Sequence, residues 1–171
     1  MPRDFADRHV ERWRDHWIDI PFEDDVEAMT VRVGTLGKAF RKATERAVLE
    51  VGLQKAEYET LHQLMIRDTP GLASPGALAR ELDVSAAGMT ARLDGLEKRG
   101  LVKRMPGSGD RRRVEVEVTR HGTAVWRKAM HLRGNYEDDL VTALTPAELR
   151  TLNRLLKKLA LKAEADGVTP Y

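Results

Sequence analysis

The stretch that most limits how this chain can fold lies between Ser74 and Val118, where the sequence period changes abruptly. Ser74-Pro75 opens a helix, with the serine as N-cap and the proline at the first helical position, where a missing N–H does no harm. Leu78 and Leu82 sit one turn apart on it, and it stops at Asp83-Val84. Ser85 caps a second helix with Met89, Leu93 and Leu96 inward, which ends at Arg99-Gly100. Two short helices separated by about three residues form a helix-turn-helix signature. The period then falls from helical to two. Leu101-Val102-Lys103-Arg104-Met105 reads as a strand, Pro106-Gly107-Ser108-Gly109-Asp110 as a turn, and Arg113-Val114-Glu115-Val116-Glu117-Val118 alternates valine with charge.

A hairpin with a basic tip, appended to a helix-turn-helix, is a winged helix. The rest of the chain reads as helices around it. Phe5, His9, Trp13 and Trp17 recur at about helical spacing, so a short amphipathic helix is expected, ending near Ile20-Pro21. Val26, Met29, Val33, Leu36, Phe40, Ala43 and Ala47 then step by three and four in turn, an a/d seam of about three heptads. Gly52 ends that helix. A further helix runs over 55–67, with Tyr58, Leu61, Leu64 and Met65 inward, and Asp68-Thr69-Pro70-Gly71 breaks it. Thr119 caps a long helix carrying Val125, Ala129, Leu132, Tyr136, Leu140 and Ala143. Thr145-Pro146-Ala147-Glu148 is a capping box before a last helix with Leu149, Leu152, Leu155, Leu156 and Leu159. The expected fold class is therefore mainly α with a small β-hairpin wing (α+β). Four parts are expected: a helical extension over 1–22, a dimerisation helix over 23–54, a winged helix-turn-helix over 55–118 and dimerisation helices over 119–171. Apolar seams longer than the small module can cover are normally buried against a second copy.

Composition narrows the function. At 171 residues with 42% hydrophobic and 33% charged residues, the chain can build a core. The absence of cysteine excludes disulfides, thiolate zinc sites and a cysteine nucleophile. No segment approaches the roughly 20 apolar residues of a membrane span, and the charged N-terminus lacks a signal-peptide core, so a cytoplasmic protein without membrane contact is expected. The five histidines show no close metal-ligand spacing, and no phosphate loop, nucleophile elbow or His-Glu-x-x-His sequence occurs. No enzyme, no metal and no cofactor are expected. Net charge is only +2, but Arg92 to Arg113 holds eight bases against three acids, a local balance of +5. An anionic partner at one place explains the concentration; a solvated charged face is the blander account.

The helix from Ser85 is the candidate reader of a DNA major groove. With its apolar residues inward, Ala87, Ala91, Asp94 and Lys98 fall on the far side and Thr90 near its edge. Ala87, Gly88 and Ala91 keep that face small, so the helix N-terminus can approach DNA closely. Thr90 can bond a base or phosphate, and Arg92 is better placed for phosphate. A helix made small to pack on a protein neighbour remains the alternative. At the wing, Gly109-Asp110-Arg111-Arg112-Arg113 lets a guanidinium enter the minor groove, with Asp110 orienting a nearby arginine. A solvated turn with an incidental ion pair is the competing account.

Ser74-Pro75-Gly76-Ala77-Leu78-Ala79-Arg80-Glu81-Leu82, Val84-Ser85, Met89-Thr90, Arg92 through Val102, Asp110-Arg111-Arg112 and Val118-Thr119 with Gly122 together resemble the MarR family of transcriptional regulators. The resemblance is dense over 61–122 and looser in the flanking helices. It implies a homodimeric winged helix-turn-helix repressor or activator on double-stranded DNA, released by small phenolic or anionic ligands or by oxidation. It also implies that Asp110 orients Arg112. The expected DNA-binding set is Ser74, Ser85, Ala87, Gly88, Thr90, Ala91, Arg92, Asp110, Arg111, Arg112 and Arg113.

Two departures qualify it. Ala91 stands where relatives often carry a larger polar or basic residue, so base readout is either weaker or carried by shape, and a chain without cysteine cannot sense oxidation through a thiol. Trp13 and Trp17 form either an arm packed across a dimer or an aromatic lid over an effector site. The expected function is a sequence-specific regulator, a repressor in sign, that binds a palindromic operator as a homodimer and answers to a small-molecule effector. The alternative is a winged-helix protein used for protein contact or nonspecific DNA architecture.

Overall fold

A computed structural model describes residues 1–14, 16, 23–107 and 114–168. Its elements are α1 (Phe5–Arg14), α2 (Asp24–Glu50), α3 (Lys55–Met65), β1 (Leu72–Ala73), α4 (Pro75–Glu81), α5 (Ala86–Lys98), β2 (Val102–Pro106), β3 (Val114–Val118), α6 (Arg120–Val141) and α7 (Pro146–Ala165). The chain divides into two compact units, Met1–Arg133 and Gly134–Tyr171.

Local chemistry sets most boundaries. The Ser74 hydroxyl accepts the Ala77 N–H at 3.2 Å, and the Ser85 hydroxyl accepts the Gly88 N–H at 3.1 Å, so α4 and α5 begin where their caps stand. Asp83 adopts φ 49 in the turn between them, and the Val84 N–H returns to the Ala79 carbonyl at 2.9 Å. After α5, Gly100 takes φ 67 and lets the Leu101 N–H close on the Leu96 carbonyl at 2.9 Å. In the second unit the Thr145 hydroxyl accepts the Glu148 N–H, and the Glu148 carboxylate accepts the Thr145 hydroxyl at 2.7 Å and the Thr145 N–H at 2.8 Å, which in that order hold its pKa below the usual carboxylate range.

The hairpin is one strand richer than the sequence indicates. The sheet order is β1-β3-β2, all antiparallel, with Lys103 opposite Glu117 and Leu72 also opposite Glu117 from the other side. A two-residue strand cannot display a period of two, so β1 leaves no pattern in the sequence. It is recruited because the Val118 N–H reaches the Gly71 carbonyl at 2.8 Å, extending the ladder across the end of α3.

Leu53, Leu61, Leu64, Leu78, Met89, Leu93, Leu96, Leu101, Val102 and Val116 form the core of the winged module. Each leucine buried this way contributes about 1.5–3 kcal/mol. The start of α6 is fixed to the module. Thr119 donates its hydroxyl to the Gly100 carbonyl at 2.7 Å and accepts the Gly122 N–H at 2.9 Å. A Cβ on Gly122 would run into the Leu101 carbonyl, so only glycine permits this approach. One turn further on, Trp126 Nε1 donates to His62 Nδ1 at 3.1 Å, and the His62 ring stacks on Tyr58 with centroids 5.3 Å apart.

α1 follows a different face from the one its large residues suggest. Ala6 and Val10 are buried against Ala28 and Val31 of α2, Trp13 is half-buried and Phe5 is exposed. The expected continuation to Pro21, and with it Trp17, lies outside the described residues. The α2 seam is present but open: Val26, Met29, Val33, Leu36 and Phe40 are all exposed. In α7, by itself, no residue is buried, and Leu152, Leu155, Leu156 and Leu159 are exposed.

Candidate nucleic-acid interface

The candidate reading helix, α5, is anchored from behind. Met89, Leu93 and Leu96 of α5 are at most 1% exposed and face the core, which forces the opposite side outward. Ser85, Ala86, Ala87, Thr90, Ala91, Asp94 and Lys98 are exposed, and Gly88 is half-buried under the Ser85 hydroxyl. Thr90 donates its hydroxyl to the Ala86 carbonyl at 2.9 Å, leaving the oxygen's lone pairs to accept. Ser74 is exposed at the start of α4. Thus Ser74, Ser85, Ala87, Thr90 and Ala91 are all exposed to solvent on the helix pair. Asp110, Arg111, Arg112 and Arg113 lie outside the described residues.

The basic stripe is less free than a count of charges suggests. Arg92 reaches back to Glu59 of α3 at 3.3 Å, and Arg99 to Glu57 of α3 at 2.5 Å. Lys103 pairs across the hairpin with Glu117 at 2.7 Å. Arg104 bonds Glu97 at 2.6 Å and Asp94 at 2.7 Å, both on α5. The Arg104 backbone N–H, then its guanidinium, hold the Glu97 carboxyl below the usual carboxylate range against some burial. Burial works to lower the Arg104 pKa, but its bonds to Asp94 and Glu97 outweigh it and raise the value. Glu57 and Glu59 lie outside the stripe, and pairing between separate helices has no sequence period by which to find it.

Trp13, the described member of the aromatic pair, packs edge-on to His16 at 5.3 Å and lies 6.3 Å from His9. A cavity of about 430 Å³ opens elsewhere, between the end of α2 and the start of α3, lined by Arg41, Thr44, Val48, Leu49, Leu53 and Tyr58 among others. Trp13 is not part of its wall. Among the described residues no group of His, Asp or Glu is arranged to hold a metal, and no helix is long and apolar enough to cross a membrane.

Comparison with known proteins agrees with this geometry. Residues 51–113 match the sequence model of the MarR family. The HTH-type transcriptional regulator PecS of Dickeya dadantii is 30% identical over 153 residues, covering 88% of this chain and 89% of PecS. The chain belongs to the MarR family. Its fold is that family's winged helix-turn-helix: the crystal structure of apo MarR from Escherichia coli superposes with a TM-score of 0.60 at 25% identity, covering 82% of this chain and 97% of MarR. The MepR–DNA complex of Staphylococcus aureus shares the fold as well, with a TM-score of 0.62 at 18% identity, covering 75% of this chain and 94% of MepR. As a MarR-family member the chain is a transcriptional regulator.

Proposed function

We propose that this MarR-family regulator is a repressor that grips a palindromic operator as a homodimer, with α5 in the major groove and the wing in the minor groove. The observation that carries the reading is α5 itself: a serine-capped N-terminus and a small exposed face, held from behind by a leucine core. The reader set is Ser74, Ser85, Ala87, Gly88, Thr90, Ala91 and Arg92, and the wing set is Asp110, Arg111, Arg112 and Arg113.

The open heptad of α2 and the leucine face of α7 support self-association, since exposed seams of this length need a partner. This assigns 23–54 and 119–171 to dimerisation, 55–118 to DNA and 1–22 to an accessory helix. Twofold symmetry then sets two readers about one DNA turn apart. The cavity at α2 and α3 supports a small, largely apolar effector, because Val48, Leu49 and Leu53 offer carbon while Arg41 and Lys55 are balanced by Glu45 and Glu59. Such a ligand regulates only by binding the DNA-incompetent spacing of the readers more tightly.

Mobility shift with DNA from upstream of the protein's own coding sequence, against excess random duplex, tests the reading. The wild type retains its preference as salt rises. Arg112→Ala loses about 1–3 kcal/mol of operator affinity. Equal and steep loss on both duplexes points instead to nonspecific architecture, and unchanged affinity in the variant removes the wing from the interface.

A further inference from the structure

We propose that Arg104 is a positioning residue for DNA reading: from strand β2 it fixes the angle between the wing hairpin and α5. The inference rests on the DNA-reading function above. Its basis is the set of atoms that one guanidinium holds. One terminal nitrogen of Arg104 donates to Glu97 at 2.6 Å, and the other donates to Asp94 at 2.7 Å and to the Thr90 carbonyl at 3.4 Å. Thr90, Asp94 and Glu97 follow one another at helical steps of four and three, so they form a single stripe along α5 about 10 Å long. A planar fork of fixed geometry lies along that stripe, which a flexible ammonium could not do.

A second, independent bond works in the same direction. The Arg104 backbone N–H donates to Glu97 at 2.9 Å, so strand and helix stay joined through Glu97 even where the guanidinium is disturbed. The strand so joined carries the hairpin, since Arg104 is opposite Val116 of β3 in the ladder. Wing and reader therefore turn as one body, and the Thr90 carbonyl ties the lock to a residue of the reading face.

The alternative for an arginine in a basic stripe is a phosphate contact. Two carboxylates within 2.7 Å already neutralise this one, and its side chain is only 27% exposed. Its value to DNA binding is orientation, which gives predictions opposite to those of charge alone.

The test uses full-length protein, the duplex that the wild type selects from a random pool, and a random duplex, each over a series of salt concentrations. Arg104→Lys keeps the charge and loses the fork; it weakens the selected duplex about tenfold, with random-duplex affinity within twofold and the salt slope unchanged. Glu97→Ala makes the surface more positive yet also weakens the selected duplex about tenfold. The double variant is no weaker than the weaker single one. Thermal melts that match the wild type exclude unfolding as the cause. Full affinity in Arg104→Lys, tighter binding in Glu97→Ala, or a slope reduced by about one in Arg104→Ala overturns the proposal in favour of a phosphate contact. A wild type that selects no duplex overturns the DNA reading itself and this inference with it, whereas a selective wild type with unaffected variants overturns this inference alone.

Discussion

Where α1 lies on α2, the buried apolar residues are Ala6, Val10 and Ala28 with Val31 alongside, whereas the winged module closes on Leu61, Leu64, Leu78, Leu93, Leu96 and their neighbours. That first contact is small and is flanked by exposed ion pairs. Arg32 bonds Asp4 at 2.8 Å and Asp7 at 2.5 Å, His9 bonds Glu27 at 2.9 Å, and Arg14 pairs with Asp24. Exposed pairs of this kind each contribute little and weaken with salt. Core leucines contribute more and are insensitive to it. The difference gives the chain a winged-helix body that unfolds as a unit and an N-terminal helix that can detach while the body stays intact.

The largest expected effect comes from breaking the stronger side. Leu93→Ala removes a fully buried side chain of α5 and lowers unfolding stability by about 2–5 kcal/mol, measured by urea titration. A loss below 1 kcal/mol would mean that the module is not built on this core. Next comes the weaker side. Asp4 accepts the Ala6 and Asp7 N–H groups as well as the Arg32 guanidinium. Asp4→Ala therefore speeds amide exchange throughout α1 while leaving α3 to α5 unchanged, and 1 M salt moves the wild type in the same direction. Loss of protection in both regions together would contradict the separation.

Acid sharpens the contrast. Bonding to Arg32, and then to the Asp7 N–H, holds the Asp4 carboxyl far below the usual carboxylate range. That contribution is full above the ordinary aspartate pKa, declines as pH falls below it because the unfolded chain takes up the proton first, and is gone once strong acid titrates the folded group.

The smallest effect lies within the module, at His62. Burial, then the charge of Arg133, lowers its pKa, and Nδ1 accepts from Trp126 only when the ring is neutral. The unfolded chain then binds the proton more readily, so stability is full above about pH 6.5 and falls as pH drops below it toward the folded value. The urea midpoint should decline from pH 7 to 5.5, and less so in His62→Phe. An identical decline in both proteins would remove His62 as its source.

Much of this was legible in the sequence because it is local. Ser74, Ser85 and Thr145 cap the helices that follow them, and the valine alternation marks β3. The small outward face of α5 followed directly from placing Met89, Leu93 and Leu96 inward. What escaped depends on separate elements meeting. β1 is too short to carry a period. Phe5 and Trp13 dominate the pattern of α1, although Ala6 and Val10 are the residues it buries. The acids that occupy Arg92 and Arg99 come from α3, and those that occupy Arg104 become partners only once β2 folds back on α5.

The central claim, paired reading of the double helix, is tested most directly by selecting bound duplexes from a random pool with the purified wild-type protein. The account predicts an enriched inverted repeat whose half-sites are centred about 10–10.5 base pairs apart. A pool that emerges unenriched, or enriched only for a lone half-site, would contradict it.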